Sequence, residues 1–90
     1  MSGRDDPLAE LRARIGANDQ AIVDAVNERL RLVAELWRIK ETHGSARFDP
    51  DRERRLRDEL GAANRGPLSD EGLDALVSEL LALTKRELDR

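Results

Sequence analysis

Residues 7–44, PLAELRARIGANDQAIVDAVNERLRLVAELWRIKETHG, decide the fold. Apolar side chains recur at Leu8, Leu11, Ile15, Ile22, Ala25, Leu32, Leu36 and Ile39, in steps of three and four that place them on one side of an α-helix. Asp6 ahead of Pro7 supplies a start: the carboxylate accepts orphan backbone amides, and proline loses nothing at the first helical position. Gly44 supplies a stop. The spacing predicts one helix of roughly 36 residues, about 54 Å long at 1.5 Å per residue, whereas a compact 90-residue domain has a radius of gyration of about 12 Å. Such a helix overhangs its own domain, and its unbroken stripe needs a partner along its whole length. An antiparallel dimer along this helix is the expectation.

The rest of the chain reads as two shorter helices. Asp49–Pro50 repeats the capping logic of Asp6–Pro7 and opens a charged segment carrying Leu56 and Leu60, which Asn64, Arg65, Gly66 and Pro67 break. Ser69 then caps a third segment with Leu73, Leu76, Val77, Leu80, Leu81 and Leu88, and Leu68 and Leu73 stand where a hydrophobic staple would close. Composition agrees with an all-α reading: 39% charged, 39% hydrophobic and only 2% aromatic residues favour amphipathic helices over a sheet. The chain, residues 1–90, reads as a single domain with residues 1–6 as a flexible N-terminus, and no internal repeat or low-complexity tract is seen.

Charge and cysteine usage narrow the function. With 16 Lys and Arg against 19 Asp and Glu, a net charge of −3 lacks the cationic excess that phosphate-backbone binding needs, so no nucleic-acid partner is expected. The absence of cysteine and the lone His43 exclude disulfides, thiol nucleophiles and thiolate zinc sites, and no metal is expected. No apolar run approaches a signal sequence or a membrane span, so neither membrane nor export is expected and the location is read as cytoplasmic.

Two polar residues stand on the apolar stripe itself, Asn18 and Arg29. Each either sets register and orientation in a helical seam, at some cost in stability, or belongs to a site. Arg29 and Lys40 lie eleven residues apart, about three helical turns, so both leave the same face. Arg12 points about a quarter turn away and cannot converge with Arg29 in one chain, although an antiparallel partner would bring its own Arg12 opposite. Asp49 and Glu53 stand one turn apart at the second helix start. A cap explains Asp49 readily and Glu53 less so; a pair of acids beside the cations is the alternative.

The order Arg12, Arg29, Lys40, Asp49, Glu53 on a long helix, a loop and a short helix resembles the AroQ class of chorismate mutases. Residues 11–15 (LRARI), 27–30 (NERL), 48–54 (FDPDRER) and 66–68 (GPL) carry the resemblance, which covers nearly the whole chain. It implies an intertwined, all-helical homodimer of three-helix subunits with two equivalent sites. Each site would be built mostly by one chain and completed by an Arg of the other. The implied activity is the Claisen rearrangement of chorismate to prephenate, with no cofactor. Arg12 of the partner chain and Arg29 would clamp the substrate carboxylates, a task suited to the guanidinium fork. Lys40 would meet the ether oxygen, Glu53 with Asp49 would accept from the ring hydroxyl, and Thr84 would line the carboxylate end.

The pattern departs at Leu88, where the family usually places a Gln or Glu on the other side of the ether oxygen. Glu87 from a shifted last turn, or a partner protein reshaping the C-terminus, would supply the donor; the first enzyme of the aromatic pathway activates some relatives in this way. Lower intrinsic activity of the isolated chain is expected. Within the same fold, 4-amino-4-deoxychorismate mutation and pyruvate elimination from isochorismate remain alternatives. A non-catalytic helical dimerisation or regulatory module is the reading from another class.

Overall fold

The computed structural model describes residues 6–89. They form three helices, α1 (Pro7–Thr42), α2 (Pro50–Ala63) and α3 (Asp70–Leu88), with no strand among the described residues. This is the all-α, three-helix reading of the sequence, and α1 has 36 residues. The expectation of a flexible terminus falls mainly on residues 1–5, which lie outside the described residues. Its last residue, Asp6, caps α1, accepting from the amides of Leu8 (3.0 Å) and Ala9 (3.3 Å). By its internal contacts the chain divides into residues 1–32 and residues 33–90.

In the first unit no described side chain is buried. Leu8, Leu11, Ile15, Ile22 and Leu32, all on the apolar stripe, are between 51% and 59% exposed. Only Val26, Arg29 and Leu30 are half-buried. Helix propensity and the Asp6 cap account for local order here, but long helices gain most of their stability from packing an apolar face.

The second unit opens on the last turns of α1, which end in a Schellman motif at Gly44. Ser45 N–H donates to Lys40 O (2.8 Å) and Gly44 N–H to Glu41 O (3.2 Å). Gly44 adopts φ +71°, a left-handed conformation that a Cβ would oppose. The N-cap of α2 is Asp49, whose Oδ1 accepts from Asp51 N–H (3.0 Å) and Arg52 N–H (3.4 Å). Asn64 stitches the turn into α3: its side chain donates to Leu68 O (2.9 Å) and accepts from Gly66 N–H (3.2 Å). Ser69 then caps α3 through Gly72 N–H (3.0 Å).

The core of this unit is small. Among the described residues, only Trp37, Val77 and Thr84 are buried. An Arg57 fork on α2 adds a polar clamp to α3, donating to Asp74 Oδ1 (2.5 Å) and Ser78 Oγ (3.0 Å). Around Trp37 the α1–α2 loop folds back, with the Phe48 ring edge-on at 5.6 Å between centroids.

Candidate active site

Of the residues singled out from sequence, Lys40, Asp49, Glu53, Thr84 and Leu88 fall in residues 33–90, and Arg12 and Arg29 in residues 1–32. Lys40 is the third residue from the end of α1. Its carbonyl is held by Ser45 N–H and its half-buried side chain donates to Arg47 O at 3.4 Å. The helix stop and the loop thus fix this cation at both its backbone and its ammonium.

Asp49 has one carboxylate oxygen engaged in the α2 cap, as the Asp49–Pro50 start predicts. Glu53, one turn later and half-buried, donates its backbone N–H to Asp49 O (3.1 Å) and has no side-chain hydrogen bond among the described residues. Thr84 is buried in α3, and its hydroxyl donates back to Leu80 O at 2.7 Å. That bond satisfies the hydroxyl proton. Leu88 ends α3, half-buried, with Glu87 half-buried beside it.

Arg12 is exposed and Arg29 half-buried, both on α1. Their separation of seventeen positions corresponds to about 25 Å along the helix axis. No single small molecule spans that distance, so one chain cannot bring these two guanidinium groups onto one ligand.

Arg47 belongs beside these residues although its sequence gave little reason to select it. Its guanidinium lies 4.6 Å from the Trp37 ring centroid, pairs with Glu41, and donates to Asp89 Oδ1 at 3.1 Å. The hydrogen bond to Glu41 raises its pKa above the ordinary arginine value, against a smaller lowering by desolvation. Next to it, Lys85 Nζ lies 4.6 Å from the Phe48 ring centroid. A lone arginine in a loop follows no period, so the only sequence clue was its position beside Phe48 and six residues after Glu41.

A shallow depression of about 200 Å³ is lined by Arg57, Gly61, Asp70, Leu73, Asp74 and Val77, none of them an expected site residue. Among the described residues no three His, Asp or Glu side chains are grouped to hold a metal ion. No described helix is long and apolar enough to cross a membrane.

A profile of the chorismate mutase type II family matches residues 11–87. The chain belongs to that family. Two bifunctional chorismate mutase/prephenate dehydratases resemble it: that of Stutzerimonas stutzeri is 30% identical and that of Pseudomonas aeruginosa 29%, each over 86% of this chain. The chain spans only 22% of the length of either relative. Among solved structures, chorismate mutase (form II) from Thermus thermophilus superposes with a TM-score of 0.87 at 29% identity, covering 94% of this chain and 97% of that one. The three-helix architecture is therefore that of a chorismate mutase type II fold. The family match contains Arg12, Arg29, Lys40, Asp49, Glu53 and Thr84 and stops one residue short of Leu88.

Proposed function

We propose that this chain is a chorismate mutase, an isomerase that converts chorismate to prephenate in the cytoplasm as a homodimer, each chain contributing one catalytic domain. The observation that carries the reading is the family match across residues 11–87, which takes in six of the expected site residues together. The dimer is supported by the separation of Arg12 and Arg29 along α1 and by the exposed stripe from Leu8 to Leu32. Arg12 of one chain and Arg29 of the other would each hold a substrate carboxylate.

The rearrangement is unimolecular: the ether carbon–oxygen bond breaks as a carbon–carbon bond forms, and no proton or electron enters or leaves. The residues must hold a flexible substrate in its compact conformer and meet negative charge developing on the ether oxygen. Lys40, already held by the loop, is the cation for that oxygen: its ammonium has three donors, so it keeps Arg47 O while it donates to substrate. Glu53 accepts from the ring hydroxyl and Thr84 lines the carboxylate end. A millionfold acceleration requires about 8 kcal/mol, of which one well-aimed donor supplies about 3–4 kcal/mol. With one Asp49 oxygen engaged in the cap, Glu53 is the main acid left for the ring substituent. One acid suits a hydroxyl better than an ammonium, which favours chorismate over its 4-amino analogue.

The test is incubation of the purified chain with chorismate, with the product identified by mass spectrometry. Prephenate formation that disappears in a folded Lys40→Ala variant is expected. No turnover by the wild type refutes the reading; turnover of 4-amino-4-deoxychorismate or isochorismate instead reassigns the substrate. Stimulation by the first enzyme of the aromatic pathway would identify that enzyme as a partner acting on the C-terminal turn. A non-catalytic module would show altered dimerisation in Arg29 and Lys40 variants and no reaction in any protein.

A further inference from the structure

Arg47 joins three parts of the second unit with one planar group. It lies over Trp37, in the last turns of α1, with its charge centre 4.6 Å from the ring centroid, well inside the range of a cation–π contact. Through Nε (3.1 Å) and Nη2 it donates to Glu41, the residue after Lys40. Through Nη1 it donates at 3.1 Å to Asp89, the residue after Leu88. Its own carbonyl accepts the Lys40 ammonium at 3.4 Å. The same peptide segment continues through Phe48, against Trp37 and under Lys85, into Asp49, the α2 cap.

We infer that Arg47 is a positioning residue: by tying the α1–α2 loop to Glu41, Trp37 and Asp89, it sets the place of its own carbonyl and thereby the aim of the Lys40 ammonium. The inference rests on the chorismate mutase reading, in which Lys40 meets the ether oxygen. Arg47 itself touches no substrate. The Schellman motif fixes the Lys40 backbone without help from Arg47, but an ammonium on four methylenes still has many rotamers. The Arg47 carbonyl selects among them, and it is only as well placed as the loop that carries it. Arginine is required because one flat fork must meet two carboxylates and lie on an indole at once, which a lysine cannot do.

The experiment compares wild type, Arg47→Ala, Arg47→Lys and a Glu41→Gln/Asp89→Asn double variant, with the exposed Arg31→Ala as control. Misplacing a reacting group by an ångström costs up to about a hundredfold in rate. With the helix stop intact, kcat of Arg47→Ala should fall about tenfold, with KM changed less than threefold and circular dichroism unchanged. Trp37 is the sole tryptophan, so its emission reports the ring contact directly and should shift to the red in the same variant. Arg47→Lys should not restore kcat, and the double variant, which keeps the ring contact, should lose part of it. At about 1 M salt, where the screening length is about 3 Å, wild-type kcat should drop towards that of Arg47→Ala, which itself should not respond. An active wild type with Arg47→Ala or the double variant at full kcat overturns the positioning role and leaves the mutase reading intact. Loss confined to KM, or full rescue by Arg47→Lys, overturns it too. A wild type inert towards chorismate refutes the mutase reading itself, and Arg47 loses its proposed role with it.

Discussion

Replacing Ile22 with Asp should dissociate the proposed dimer. Ile22 stands near the middle of α1 and is 54% exposed in the single chain. Full burial of an isoleucine is worth about 1.5–3 kcal/mol, so roughly half, about 1 kcal/mol, remains to be gained when a second helix covers it. An isologous pair has two copies of each position, so Ile22→Ala should weaken association by about 2 kcal/mol, about thirtyfold in Kd. Ile22→Asp removes the same apolar area and in addition places a carboxylate in the seam, at several kcal/mol per ion. Association should weaken by more than about a thousandfold. Sedimentation equilibrium over a concentration series, with circular dichroism on the same samples, measures both assembly and helicity. A wild type that stays monomeric at every concentration, or an Ile22→Asp chain with unchanged Kd, would refute the argument that the exposed stripe is a subunit seam.

Lys40→Ala should lower kcat by about a hundredfold to a thousandfold, the cost of one preorganised donor, with dimerisation unchanged; equal loss in dimer stability would return Lys40 to a structural role. Leu88→Gln should raise kcat with chorismate, because it restores a polar partner for the ether oxygen, and an unchanged kcat in steady-state assays would place the last turn of α3 outside the site. Gly44→Ala should lower stability by about 1–2 kcal/mol, since an L-residue must adopt the left-handed conformation there, and thermal denaturation at fixed protein concentration measures it. A Tm equal to wild type would mean that the stop does not need Gly44.

Much of the architecture was legible because its signals are local. Asp6–Pro7, Asp49–Pro50 and Ser69 each mark a helix start by pairing a side-chain acceptor with the first free amides, and all three caps form. Gly44 marks a stop by lacking a Cβ, and it takes the positive φ that a stop requires. Candidate site residues on helices were reachable through periodicity and family resemblance, as with Arg29 and Lys40. Arg47 was not, because its contacts join residues 37, 41 and 89 through a loop, and no repeat or cap rule refers to such a junction. Thr84 was marked for a pocket and lies buried, but its bond to Leu80 O depends on a rotamer that the sequence alone does not specify.

Assembly and chemistry make the same demand on this chain. Among its described residues only three are buried, and a small chain buries a smaller fraction of its surface on folding than a large one. In the proposed dimer a second chain covers the exposed stripe before any substrate arrives. Once two α1 helices lie side by side, guanidinium groups about 25 Å apart along one helix need not meet within a chain, because each can meet the other chain's complement. In the proposed mutase, substrate held by Arg12 of one chain and Arg29 of the other binds the dimer and not the monomer. Substrate then stabilises the dimer by mass action, and dilution that dissociates the chains removes activity in the same step.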